Sequence, residues 1–142
     1  MPNGWYYLHV NGDLIFKPDD PGREQDFRDS DMVRKYWPFD PQRETAWRIL
    51  IEAGALGAAR SRIDELATHW RCNDTDAEEY AERAGLKLER AFGFFCYGHR
   101  CGKVMATRRG LPVAAGGKVG LGDCALDALT DLRREETEAA NV

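Results

Sequence analysis

Residues 61–85 read SRIDELATHWRCNDTDAEEYAERAG, and how this stretch is parsed decides the fold. Ile63, Leu66, Ala67 and Trp70 recur at helical spacing, Cys72-Asn73-Asp74 makes a short polar break, and a second helix runs to Gly85. Two helices joined by a tight turn are the ingredients of a helix-turn-helix. Ser61 with Asp64 three residues on resembles a capping box, Asn73 or Asp74 supplies the second N-cap, and Gly85 supplies the stop. The charges oppose a DNA reading. The second helix is the one that would enter a groove, yet it carries Asp74, Asp76, Glu78, Glu79 and Glu82 against Arg83 alone, and phosphate repels such a face. These five acids are therefore the candidate protein-binding residues.

Upstream, Asp40-Pro41 reads as an N-cap followed by proline at the first helical position, and Trp47, Leu50, Ile51 and Gly54 follow at helical spacing, which predicts a helix over about 41–57. Three helices thus fill residues 41–85. Residues 18–39 read as an acidic linker: PDDPGREQDFRDSD, residues 18–31, holds two prolines, a glycine and a surplus of acids, with Phe27 and Met32 as its anchors. Before it, WYYLHVNGDLIFKP places aromatic and β-branched residues on both sides of Asn11-Gly12, which predicts a β-hairpin over 5–17 with a type I′ turn.

Downstream the period changes. LKLERAFGFFCYGHRCGKVMATRR predicts a second antiparallel hairpin, 86–108, with its tip near Gly98 to Gly102; LPVAAGGKVGLG then reads as a loop. Asp123 caps a last helix, 124–136, with Leu126, Leu129 and Leu132 on one face. The expected architecture is a single α+β domain over 1–142, in which the two hairpins are able to share one antiparallel sheet. Trp47, Leu50, Leu66, Trp70 and Tyr80 are its expected core residues.

A hydrophobic content of 43%, with four Trp, six Phe and five Tyr, belongs to a folded chain. The net charge of −4 gives no global basic field to gather nucleic acid or anionic lipid. No apolar run approaches the roughly 20 residues that a membrane span needs, and no signal peptide is visible, so a cytoplasmic location with four reduced cysteines is expected.

One basic island stands out. Residues 87–109 hold Lys87, Arg90, Arg100, Lys103, Arg108 and Arg109 against Glu89. As the wing of a winged helix, Arg90, Tyr97, Arg100, Lys103, Arg108 and Arg109 are the candidate nucleic-acid-binding residues. The same pattern fits basic residues that keep a sheet edge from aggregating. Cys96, His99 and Cys101 surround one turn, where Cys72 or Cys124 could complete a zinc site; the spacing is not that of a paired C-x-x-C knuckle, and no metal is expected. AAGGKVGLGD before a helix lacks the spacing of a phosphate-binding Walker sequence. His9, His69 and His99 have no neighbour in sequence that makes an acid/base pair, so neither a catalytic residue nor a cofactor is expected.

WYYLHVNGDLIFKP, DSDMVRKYWPFDPQRETAWRILIEA and IDELATHWRCNDTDAEEYAERAGLKL, in that order, resemble a family of small phage and prophage proteins over nearly the whole chain. That family has a strand ending ATR, a loop ending GFGDT and a helix EAL. This chain keeps Ala106-Thr107-Arg108, Gly122-Asp123 and Ala128-Leu129, and departs at LPVAAGGKVGLG and at the Cys96–Cys101 turn. The resemblance implies a phage genome and a host cytoplasm, and no particular activity. The second hairpin, Gly122-Asp123-Cys124 and the last helix are also similar to the β-β-β-α half of HicB-type antitoxin domains. The expected function is a non-enzymatic phage accessory protein that binds a host or phage protein, for example to inhibit a host-defence or nucleic-acid-processing complex. The competing expectation is a winged-helix or HicB-like regulator that uses the basic hairpin.

Overall fold

The computed structural model describes residues 4–18, 31–38 and 43–140. Among them are two three-stranded antiparallel sheets and four α-helices, an α+β fold. They belong to two compact units, Met1–Arg71 and Cys72–Val142. The two sheets are separate, so the arrangement in which the two hairpins share one sheet does not occur. The boundary falls in the polar break of the opening stretch, so the two helices of the helix-turn-helix reading belong to different units.

In the first unit the expected hairpin forms: β1 (Gly4–His9) pairs with β2 (Leu14–Pro18) from Gly4↔Pro18 to Leu8↔Leu14. Its turn is wider than the type I′ turn expected. His9 N–H donates to Asp13 O, and Gly12 has a φ of +95° while Asn11 does not share the positive region. Asn11 Oδ1 accepts the Asp13 N–H at 3.0 Å, an Asx turn that leaves the glycine alone in the left-handed region. Gly12 is favoured twice over, by its positive φ and because a Cβ there would lie 3.1 Å from Gly57 O; its carbonyl also accepts the Ala59 N–H at 2.7 Å.

A third strand, β3 (Val33–Pro38), pairs with the other side of β1, Tyr6↔Trp37 and Tyr7↔Tyr36, giving the order β2-β1-β3. This corrects the linker assignment at residues 33–38. Arg34 and Lys35 hide a strand whose buried anchor is Trp37. Met32 is exposed, and Phe27 lies outside the described residues.

Helix α1 (Arg43–Ala55) buries Ala46, Trp47, Ile49, Leu50, Ile51 and Ala53. Its expected start at Asp40-Pro41 lies outside the described residues. Glu52 on α1 accepts hydrogen bonds from Lys35 Nζ and, at 3.1 Å, from Trp37 Nε1, so β3 is tied to α1 by one carboxylate. Helix α2 (Arg60–His69) follows, with Ala59 as its N-cap and no side-chain capping bond. The Ser61/Asp64 box therefore does not form. With Ala59 at the cap, Asp64 lies beyond the first turn, and it pairs instead with Arg60 Nε at 2.8 Å.

The second unit begins with α3 (Ala77–Arg83), shorter than expected. Asn73 Oδ1 accepts from the N–H groups of Thr75 and Asp76 at 3.0 and 3.3 Å, which makes a turn rather than a helix cap. Gly85, with φ +74°, stops the helix as its sequence position implies. Strands β4 (Leu86–Tyr97), β5 (Arg100–Arg108) and β6 (Val119–Gly122) form the sheet in that order, and α4 (Ala125–Ala140) buries Leu126, Leu129 and Leu132. Strand β6 occupies part of the expected loop. Its two glycines argue against a strand, yet a Cβ on Gly120 would overlap Ala128 O and the Leu132 side chain, so the helix lies too close for any other residue.

Of the expected core, Trp47 and Leu50 are fully buried, whereas Leu66, Trp70 and Tyr80 are half-buried. Trp47→Ala should lower the unfolding free energy by about 3–5 kcal/mol, the cost of a large core truncation, and Leu66→Ala by less than half as much. Urea titrations followed by far-UV circular dichroism measure both.

Candidate functional site

The exposed chemistry of the second unit gathers on the β4–β5 hairpin and on the helices of that unit. The pairing of β4 with β5 is regular from Leu86↔Arg108 to Arg90↔Val104 and resumes at Phe95↔Gly102. Between these points Ala91, Phe92, Gly93 and Phe94 stand opposite Lys103 alone. The three surplus residues form a large bulge, and Gly93 lies within it, a place where strand glycines often occur. Phe92 is fully exposed, and Phe94 and Tyr97 are 64% and 51% exposed. The Lys103 ammonium lies 5.9 Å from the centre of the Phe94 ring, within cation–π range.

Cys96 and Cys101 are opposite one another beyond the bulge, with Cα atoms 4.2 Å apart, and form a disulfide. This corrects the expectation of four reduced thiols. Antiparallel pairing across the Gly98-His99 tip places the two Cβ atoms side by side, a proximity that a spacing of five residues does not reveal. Cys72 and Cys124 are free thiols. The alternative zinc set of Cys96, His99 and Cys101 loses both thiolates to the disulfide, and among the described residues no group of three or more His, Cys, Asp or Glu side chains is placed to hold a metal.

The basic island is largely neutralised within its own unit. Arg90 Nη2 lies 3.1 Å from Asp74 and 3.6 Å from Glu78. Arg100 donates to the Asp131 carboxylate and, at 3.0 Å, to Val119 O, with Glu135 at 3.5 Å. Arg108 makes a two-pronged pair with Glu136, at 2.7 and 2.9 Å. That hydrogen bonding raises the guanidinium pKa against the opposing effect of its partial burial. Arg109 Nε donates to Leu86 O at 3.0 Å, and Lys87 pairs with Glu89 at 2.9 Å. Lys103 alone of the island has no carboxylate or carbonyl partner among the described residues.

The five candidate carboxylates separate in role. Asp74 Oδ1 accepts the Ala125 N–H at 2.6 Å, so it supplies the N-terminal acceptor of α4 that Asp123 was expected to supply, while its other oxygen meets Arg90. Glu78 shares Arg90, and Glu79 pairs with Arg83 of the same helix at 2.8 Å. Asp76 is half-buried, and Glu82 is exposed. The structure thus joins the acidic set and the basic set through Arg90, a contact between residues sixteen apart that no local pattern announces.

Deeper in, Asp131 on α4 accepts the Leu121 N–H at 2.9 Å beside its pair with Arg100. Its side chain is 13% exposed. No protein-family model matches the chain, and no curated protein or solved structure shows significant similarity to it. Among the described residues no helix is long and apolar enough to cross a membrane.

Two measurements check this geometry. Thiol titration of the denatured, non-reduced protein should count two free thiols and, after reduction, four. Asp131→Ala should lower stability by about 1.5–3 kcal/mol in urea unfolding, because it removes charge-assisted bonds to Arg100 and to the β6 backbone.

Proposed function

We propose that this chain is a non-enzymatic accessory protein, of phage or prophage context, that acts by binding another protein. The observation that carries the reading is the self-neutralised hairpin: Arg90, Arg100 and Arg108 each already hold a carboxylate. A duplex gains affinity by releasing counterions from phosphate onto free cations, and here each of those guanidinium groups would first have to leave an anion of its own chain. The short helix α3 adds Glu82 to the solvent-facing side of the same unit, beside Glu79, whose pair with Arg83 is solvent-exposed and therefore easily exchanged for a partner's cation. An acidic face of this kind complements basic protein surfaces, so inhibition of a host-defence or nucleic-acid-processing complex is one concrete form of the activity. The run β4-β5-β6-α4 favours a HicB-like regulator as the second reading.

Gel shifts at low salt separate the two. The expected result is no sequence-selective duplex binding by the unmodified protein. In host lysate, the combined Asp76→Asn, Glu79→Gln and Glu82→Gln variant should recover less of any protein held by α3 while keeping its far-UV spectrum. Selective duplex binding that disappears on replacing Arg90, Arg100 and Arg108 would overturn the reading in favour of the regulator.

A further inference from the structure

The end of the β4–β5 hairpin has three properties that nothing in the preceding reading uses. It is apolar: Phe92, Phe94 and Tyr97 face solvent within six residues of one strand. It is cross-linked, because the Cys96–Cys101 disulfide joins the two strands between the bulge and the tip. It is also free of acid: no Asp or Glu occurs from Arg90 to Gly122, and Lys103, over the Phe94 ring, has no carboxylate or carbonyl partner among the described residues.

We infer that this bulge is a docking surface for an acidic, apolar protein segment, one that offers a hydrophobic contact to Phe92 and Phe94 and a carboxylate to Lys103. The inference rests on the reading of the chain as a protein-binding protein and adds a surface distinct from the α3 carboxylates. A fully exposed phenylalanine next to a second exposed one is costly to keep in water unless a partner covers them, and aromatic side chains are the usual anchors of protein interfaces. The disulfide keeps the two strands in register, which lowers the ordering cost on association. Charge complementarity selects the occupant. A basic segment would meet Lys103 with a like charge, and an uncharged one would leave the ammonium desolvated without a counter-ion. An acidic segment answers both. Nucleic acid is disfavoured, since the neighbouring Arg90 and Arg100 already hold Asp74, Glu78 and Asp131.

A random peptide library displayed on phage, panned against the full chain with its disulfide intact and in parallel against the Phe92→Ser/Phe94→Ser double variant, tests this. Both side chains are exposed, so the variant keeps its fold, and its circular dichroism spectrum checks that. The expected winners combine Leu, Ile or aromatic residues with Asp or Glu, and lose about tenfold or more in affinity for the double variant. They should also weaken with Lys103→Glu and with rising salt. Winners that need Phe92 and Phe94 but carry no acid and ignore Lys103→Glu would overturn the acidic chemistry, yet leave the protein-binding reading standing. Absence of any peptide that distinguishes the wild type from the double variant would overturn the docking surface itself. So would binding of oligothymidylate, or self-association in sedimentation velocity, that disappears in the double variant, each of which assigns the aromatic residues to another occupant. The oligothymidylate result would count against the protein-binding reading as well.

Discussion

The carboxylate of Asp131 is the point on which the second unit depends. It takes the Leu121 N–H of β6 and the Arg100 guanidinium of β5, so one side chain of α4 fixes both strands beside it. A mostly buried carboxylate is tolerated only when its hydrogen-bonding capacity is met, and here a backbone amide and a guanidinium meet it. The glycines of β6 serve the same contact. Gly120 and Gly122 leave room for the backbone of α4 at Ala128 and the Asp127 side chain, and that close approach brings Asp131 within reach of the sheet.

From this anchor the electrostatics of the hairpin follow. Because Arg100 and Arg108 are drawn to α4 and Arg90 to the turn before α3, the formally basic hairpin presents few free cations. What remains exposed at its far end is aromatic, with Lys103 beside it. A charge count along residues 87–109 describes a basic wing; the paired geometry leaves most of those cations already held by carboxylates of the same unit. Electrostatics between groups far apart in sequence decide which description holds.

Much of the fold is legible in local pattern. The first hairpin, α1, α2, the second hairpin and α4 follow from periodicity, from the Asn11-Gly12 dipeptide and from Gly85. The elements that were missed share one cause. Strand β3 is short and carries Arg34 and Lys35, and β6 is half glycine, so neither has enough local propensity to register. Each becomes a strand because a partner, β1 or β5, supplies the hydrogen bonds and because a helix packs close by. The candidate site divides in the same way. Phe92-Gly93-Phe94 does break the alternation of β4, a signal that the sequence contained, whereas the pairing of Arg90 with Asp74 and Glu78 and the seating of Asp74 on α4 have no local sign.

The sequence by itself determined which segments are amphipathic, where glycine and asparagine permit turns, that the chain is acidic overall, and that its cations cluster in one hairpin. These are properties of neighbouring residues, set by backbone sterics and by side-chain period. Tertiary structure alone decided that the strands form two sheets, that Cys96 faces Cys101, and that Arg90, Arg100 and Arg108 pair with carboxylates up to thirty-one residues away. Pairing and neutralisation depend on which surfaces meet, and that is fixed only when burial of Leu126, Leu129 and Leu132 against the sheet brings distant charges to within hydrogen-bond distance.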